Sequence, residues 1–333
     1  MGILVMYPGP SRVKKAISFE TLENVTFMKI LVATEKPFAK AAVDGIREIV
    51  EGAGYELALL EKYADKAELL AAVADADGLI VRSDKVTREV IDAARNLKIV
   101  VRAGAGYDNV DLAACTERGI VVMNTPGQNS NAVAELVVSM MIFISRNQFT
   151  PGTGAEVSGK RLGIHAYGNV GRIVARYGRA LGMSVKAFDP FVDPRQLEAD
   201  GVEAVGTVEE LYASSDYVSL HIPATAQTRG SIGYELLSSM PKGGVLINTA
   251  RKEVIDEQGL IRAFEERADL KYITDIAAEA QPLLTEKFGK RVFATPKKMG
   301  AETAEANINA GLAAARQIVD FFKTGDTRFQ VNR

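Results

Sequence analysis

Chemistry is most legible between Arg161 and Pro190. A short apolar strand, Arg161-Leu162-Gly163-Ile164-His165-Ala166, turns sharply at Tyr167-Gly168-Asn169-Val170-Gly171. An alanine- and arginine-rich helix follows to about Leu181, then a second strand, Ser184-Val185-Lys186-Ala187-Phe188-Asp189. This order is the first βαβ unit of a dinucleotide-binding domain. Glycine lets the backbone approach a pyrophosphate, the helix N-terminus faces its negative charge, and an acid closing the second strand takes the ribose hydroxyls. Gly168, Asn169, Val170 and Gly171 form the expected pyrophosphate turn. Asp189 favours NAD, because a carboxylate there repels the additional phosphate of NADP. Ala166 stands where the fingerprint has its first glycine, and alanine takes a positive φ less cheaply. A tight turn demands glycine for sterics alone, so the flanking strand, helix and acid carry the cofactor reading.

A second run, Gly243-Gly244-Val245-Leu246-Ile247-Asn248-Thr249-Ala250-Arg251, delivers an arginine just past the carboxyl end of a buried strand, where open α/β sheets bind ligands. An arginine there can clamp a carboxylate through paired charge-assisted hydrogen bonds and polarise a neighbouring carbonyl. It can equally sit in a surface ion pair worth little. Arg251 alone does not decide between these.

These groups need sheets to hold them. From Met28 to about Pro126 short apolar runs alternate with helical stretches: strands at 29–34, 57–60, 78–82, 98–102 and 119–123, helices at 39–53, 66–74 and 88–94. Such alternation implies a parallel sheet with helices on both faces. A long apolar helix follows at 129–147. After Asp189 the alternation resumes, with strands at 217–221, 244–249 and 271–275, a helix at 256–267, and a final helix at 303–323 stopped by Gly325. Two doubly wound parallel-sheet domains joined by two long helices place a cleft between them, at the carboxyl ends of both sheets. Forty basic against forty-two acidic residues leave a formal charge of −2, which gives no sign of a nucleic-acid or membrane partner. The single cysteine, Cys115, excludes an intrachain disulfide and fits a reducing compartment, the cytoplasm; its bland role is a small buried side chain. Residues 1–27 read as an N-terminal extension without an assigned role.

Several runs together resemble one family. Arg102-Ala103-Gly104-Ala105-Gly106-Tyr107-Asp108-Asn109-Val110-Asp111, Leu162-Gly163 through Gly171, His221-Ile222-Pro223 with Thr228, Asn248-Thr249-Ala250-Arg251, and Asp275 have the spacing found in the D-isomer-specific 2-hydroxyacid dehydrogenases. The likeness covers nearly everything from Met28 to Arg333. It implies a flavodoxin-like substrate domain, residues 28–128 and 302–333, and a Rossmann NAD-binding domain, residues 129–301. Arg251 then matches the catalytic arginine that binds the substrate carboxylate and carbonyl. His221, Pro223, Thr249, Ala250 and Asp275 match positions lining the adenine and nicotinamide sites. Backbone amides of Ala103, Gly104, Ala105 and Gly106 match the loop that receives the carboxylate, and Arg82, Ser83 and Arg102 resemble positions near a substrate phosphate. The helix near 129–147 matches a dimerisation region, implying a homodimer in which Arg146 reaches the neighbouring site. No metal is implied.

The departures fall on proton transfer. Family members carry a Thr-Pro-His-x-Gly run and a glutamate just ahead of a proline; this chain has Thr295-Pro296-Lys297-Lys298-Met299-Gly300, and its only histidines, His165 and His221, lie on cofactor strands. Counting back from Thr303 puts Lys298 at the histidine position, counting forward from Pro296 puts Lys297 there, and the anchored helix after Gly300 favours Lys298. A protonated lysine suits proton donation to a developing alkoxide, and the reverse direction requires a lowered pKa. For the partner acid, family spacing lands on Ala280, so Glu279, one position earlier, is the expected candidate. The resemblance implies NAD-dependent hydride transfer at C2, interconverting 3-phosphoglycerate and 3-phosphohydroxypyruvate at the entry to serine biosynthesis. Reduction of another 2-oxoacid, glyoxylate or hydroxypyruvate, is the alternative, as is an NAD-responsive binding protein that lost catalysis. A counterpart of the serine-sensing domain of longer relatives is not expected, nor is feedback by serine through such a module.

Overall fold

Two parallel sheets organise the computed structural model, which describes residues 28–332; the extension at 1–27 lies outside the described residues. The first is built from β1 (Lys29–Thr34), α1 (Lys40–Gly52), β2 (Glu56–Glu61), α2 (Lys66–Val73), β3 (Gly78–Val81), α3 (Arg88–Ala93), β4 (Ile99–Arg102), α4 (Leu112–Glu117) and β5 (Val121–Asn124). Its strand order is β2-β1-β3-β4-β5, the flavodoxin-like winding that reverses between β1 and β3. Every residue of β3, Gly-Leu-Ile-Val, is buried, as expected of a central strand with helices on both faces.

The chain then runs through α5 (Ser130–Ser145) into β6 (Arg161–His165), α6 (Asn169–Ala180), β7 (Ser184–Phe188), α7 (Pro194–Ala199), β8 (Glu203–Ala204), α8 (Val208–Ala213), β9 (Tyr217–Leu220), α9 (Tyr234–Ser239), β10 (Val245–Asn248), α10 (Glu257–Glu266), β11 (Lys271–Thr274), α11 (Gln281–Phe288) and β12 (Val292–Ala294). The second sheet has the order β12-β11-β10-β9-β6-β7-β8. This is the doubly wound dinucleotide-binding arrangement with one more strand at an edge, and its winding reverses between β6 and β9. The two-sheet α/β architecture expected from the sequence is the one observed. Strands β8 and β12 and the helices α4, α7, α8, α9 and α11 were not among the expected elements; each is eight residues or shorter.

The last helix, α12 (Ala304–Thr324), returns to the first sheet. Thr303 caps it by accepting the Ala306 amide at 3.1 Å, and Gly325 closes it in the left-handed region at φ 73°. Its inner stripe is small, Ala310, Gly311, Ala314 and Ala315, so it nests against Ala42 and Ile46 of α1 in one core with Ile30, Val32 and Phe38. Beyond it the chain lies along the sheet edge: Val331 N donates to Val122 O at 2.8 Å, and Val122 N donates to Asn332 Oδ1 at 2.7 Å. Among the described residues no helix is long and apolar enough to cross a membrane.

Candidate active site

The glycine turn of the second sheet is shaped by close approach. A Cβ on Gly171 would lie 2.3 Å from Ala166 O and 3.0 Å from Ile164 Cγ2, so only glycine fits. A Cβ on Gly168 would meet nothing within 4 Å; that face of the turn is open. Ala166 does adopt a positive φ, 81°, a conformation that costs a non-glycine residue about 1–2 kcal/mol. Asp189 braces the turn by accepting Tyr167 N at 2.7 Å and Phe191 N at 2.9 Å. Two buried polar atoms at the carboxyl ends of β10 and β11, Thr249 Oγ1 and Asp275 Oδ1, have no protein partner. An open glycine turn at a helix N-terminus, an acid at the next strand end and unpartnered polar atoms at the carboxyl ends of β10 and β11 fit a dinucleotide.

Facing this, the first sheet offers cations. Arg102, at the end of β4, donates Nε to Arg82 O at 2.9 Å, and its guanidinium lies so close over Gly104 that a Cβ there would sit 1.6 Å from Nη1. Burial lowers the pKa of Arg102, and the nearby Arg82 and Arg251 push it the same way against the pull of Asp108. Arg82 is held by the carbonyls of Lys36 and Pro37 at 3.0 and 3.2 Å, by Asn307 Oδ1, and by the Phe38 ring 5.2 Å away. Arg251 comes from the other sheet, just past β10; Asn248 fixes its backbone, accepting Ala250 N and donating to Arg251 O, each at 3.0 Å. Its side chain reaches the Gly106 loop, where a Cβ on Gly106 would be 3.5 Å from Arg251 Nη2 and 3.1 Å from Asp108 Oδ1. In that loop the amides of Ala103 and Gly104 are spent on Val81 O and Arg102 O, each at 2.8 Å. The amides of Ala105 and Gly106 have no acceptor among the described residues, so two of the four expected donors are free for a ligand. Ser83 is exposed beside Arg82.

Lys298 completes the cluster. Its side chain reaches solvent, yet cleft walls surround it closely enough to lower its pKa by desolvation, reinforced by Arg251 and Arg102 and opposed by Asp275 and Asp108. Asp275 is fully buried, and burial raises its pKa. Its Oδ2 accepts Met299 N at 3.1 Å and Gly300 N at 2.7 Å, which pins the segment carrying Lys298. Lys297 is exposed, and its carbonyl accepts the Thr295 hydroxyl at 2.7 Å. None of Arg82, Arg102, Arg251 and Lys298 forms an ion pair with a carboxylate among the described residues. Cations gathered without a direct ion pair, and in excess over the nearby Asp108 and Asp275, suit an anion.

Other expected residues lie elsewhere. Glu279 points to solvent and pairs with Lys252 at 3.1 Å, while Glu257 accepts both Glu279 N and Ala280 N at 2.8 Å and fixes that outward pose. The structure does not bring Glu279 to Lys298. His165 packs edge-on between Phe188 and Tyr212, and burial lowers its pKa from 6.5 to about 4. His221 bonds Ser219 Oγ at 3.0 Å through Nε2, and burial lowers its pKa to about 3. Both rings are neutral at physiological pH. Pro223 is exposed and its carbonyl accepts the Thr228 hydroxyl at 2.5 Å. Arg146 is exposed at the end of α5. Asp108, whose charge acts on Arg102, and Asp84, which accepts the Arg82 amide at 3.3 Å, were missed, although an acid two residues from Arg82 and another inside the glycine loop were visible signals. No group of three or more metal-ligating side chains gathers among the described residues.

A dinucleotide-type sheet facing a cationic cleft on a second doubly wound sheet defines a two-domain, dinucleotide-binding α/β protein. The chain belongs to the D-isomer specific 2-hydroxyacid dehydrogenase family, whose catalytic-domain model matches residues 31–332. It is 39% identical over 271 residues to a D-3-phosphoglycerate dehydrogenase of Methanocaldococcus jannaschii, covering 76% of this chain and 51% of that protein. It is 36% identical over 284 residues to a hydroxypyruvate reductase of Thermotoga maritima, covering 79% of this chain and 90% of that one. The crystal structure of an NAD+-bound 3-phosphoglycerate dehydrogenase from Entamoeba histolytica matches with a TM-score of 0.82 and 52% identity over 92% of this chain and 99% of that one. The chain spans only 51–59% of the length of the first curated phosphoglycerate dehydrogenases it resembles.

Proposed function

We propose that the chain is an NAD-dependent oxidoreductase interconverting 3-phosphoglycerate and 3-phosphohydroxypyruvate, the first step toward serine. One observation carries this reading. Arg82, Arg102, Arg251 and Lys298, from both sheets, face one cleft with no ion-paired carboxylate among the described residues. They outnumber the acids Asp108 and Asp275 that act on Arg102 and Lys298, leaving positive charge for a substrate bearing a carboxylate and a phosphate. The relatives named phosphoglycerate dehydrogenase support the same substrate.

Gly168, Asn169, Val170 and Gly171 hold the pyrophosphate and Asp189 the ribose, with His221, Pro223, Thr249, Ala250 and Asp275 along the rest of the dinucleotide. When bound, NAD(H) supplies or accepts the hydride at C2. Arg251 with the Ala105 and Gly106 amides fixes the carboxylate, which sets the face of C2 that reacts. Arg82 and Arg102 take the phosphate. The Lys298 ammonium donates its proton to the C2 oxygen as the alkoxide forms, and the lowered pKa makes the neutral amine accessible for the reverse step. Arg251 beside that oxygen stabilises its developing charge.

The substrate unit comprises residues 28–128 and 302–333 and the cofactor unit 129–301. The protein works in the cytoplasm as a homodimer; an apolar groove of about 470 Å³ beside α5, lined by Leu136, Met140, Phe143, Phe149 and Phe293, supports pairing, with Phe149 69% exposed. A second reading, reduction of an unphosphorylated 2-oxoacid, is favoured by the hydroxypyruvate reductase likeness. The test is NADH consumption with phosphohydroxypyruvate, hydroxypyruvate and glyoxylate. A kcat/KM highest for phosphohydroxypyruvate supports the first reading, a preference for hydroxypyruvate the second. No turnover of any of them would point to an NAD-responsive binding protein.

A further inference from the structure

The carboxylate with the most hydrogen bonds near the cleft belongs to no residue assigned a role above. Asp84 follows β3 and is only 3% exposed. Its Oδ1 accepts Glu35 N at 2.6 Å and the Tyr63 hydroxyl at 2.9 Å, and its Oδ2 accepts Arg82 N at 3.3 Å. Its backbone carbonyl accepts Asn109 Nδ2 at 2.7 Å. These donors come from the loops after β1, β2, β3 and β4, so a single side chain and its own peptide tie together the carboxyl ends of neighbouring strands at the rim of the cleft.

What that tie fixes is the pair of arginines. Glu35 precedes Lys36 and Pro37, whose carbonyls hold Arg82 Nη1. The Arg82 peptide, bonded to Asp84 through its N–H, presents its carbonyl to Arg102 Nε at 2.9 Å and to Asn109 Nδ2 at 3.3 Å. Arg82 Nε and both Nη groups of Arg102 have no protein acceptor among the described residues. Donors left free and held in direction by a buried anchor are pre-organised for a ligand's oxygens.

We propose that Asp84 is the positioning residue that makes the cleft selective for a phosphorylated over an unphosphorylated 2-oxoacid. It touches no ligand; it sets Arg82 directly and Arg102 through the Arg82 carbonyl. The inference rests on the reading of those arginines as the phosphate clamp. A carboxylate is the only side chain of this size that accepts on both oxygens. Asparagine is almost isosteric but has one acceptor, so either orientation turns an N–H toward Arg82 N or toward Glu35 N. The Tyr63 phenol, its pKa raised by burial and by Asp84, remains a donor at neutral pH.

The test is steady-state kinetics of the parent, Asp84→Asn and Tyr63→Phe with NADH, using phosphohydroxypyruvate and hydroxypyruvate. Asp84→Asn is expected to raise KM for phosphohydroxypyruvate about 10- to 100-fold, the equivalent of one charge-assisted hydrogen bond. Its kcat and its KM for hydroxypyruvate should stay within about threefold. Tyr63→Phe should move the same KM in the same sense by a smaller factor. Equal losses on both substrates, an unchanged KM, or a fall in kcat with KM retained would overturn the inference. If Asp84→Asn does not fold, Tyr63→Phe decides, with inorganic phosphate as inhibitor: a weaker inhibition constant supports the inference and an unchanged one refutes it. A parent indifferent to the phosphate overturns the substrate reading first, and this inference with it.

Discussion

Replacing Lys298 by methionine removes the ammonium and keeps a side chain of similar length in the cleft. General acid assistance is worth about 10²- to 10⁴-fold, or about 3–5 kcal/mol of barrier, so kcat for oxoacid reduction should fall by that factor. Lys297→Met, on an exposed neighbour whose backbone alone is engaged, should change kcat by less than about threefold. The pH dependence carries a sign. Reduction needs the ammonium, so its rate declines as pH rises through the Lys298 pKa, which desolvation, Arg251 and Arg102 place below that of a free lysine. Asp275 acts in the opposite sense, so Asp275→Asn should move that decline to lower pH and, for oxidation, bring the rise in rate to lower pH as well. NADH absorbance across pH, at saturating substrate, reads all four proteins. Equal losses in the two lysine variants, or a parental rate in Lys298→Met, would refute the assignment. A pH decline that Asp275→Asn moves upward would refute the electrostatic account.

Other outcomes follow from particular contacts. Gly171→Ala puts a methyl 2.3 Å from a backbone oxygen and should lower stability by about 1–3 kcal/mol, several degrees of melting temperature; Gly168→Ala, facing open space, should leave melting unchanged while weakening NAD binding in titration calorimetry. His165 has a pKa of about 4 folded against 6.5 unfolded, so the unfolded chain binds more protons between these values. Stability falls as pH drops from about 6.5 through about 4, by up to about 3 kcal/mol, and urea midpoints of His165→Phe should depend less steeply on pH in that window. Asp189→Asn keeps an acceptor beside the turn and loses the charge, so the KM ratio of NADP to NAD should fall about tenfold or more.

Much of the architecture was readable because its strands and long helices are strongly patterned. α1 buries Ala42, Ile46 and Val50 four residues apart, and β3 is apolar throughout. The five missed helices are at most eight residues long, too few turns to display a period, although Asp193 before Pro194 and Thr207 before Glu210 were capping signals. The glycine turn was legible, including the strain at Ala166, because its chemistry is local in sequence. The cation cluster was legible only through family spacing, since Arg82, Arg251 and Lys298 meet by tertiary packing. Glu279 misled because spacing counts residues and not directions: the Glu257 carboxylate clamps two successive amides and turns that side chain outward. Asp84 stayed hidden because its partners, Glu35, Tyr63 and Asn109, are scattered over three other loops.

The return of α12 to the first sheet also governs how the chain is made. A ribosome delivers β1 and α1 long before the helix that covers Ala42, Ile46 and Ile30, so this half waits with an uncovered apolar face while the second sheet, whose strands are contiguous in sequence, is completed. The half that emerges first is the last to mature. Chaperone dependence and aggregation during synthesis should therefore concentrate on nascent chains that have not yet released Ala304–Thr324.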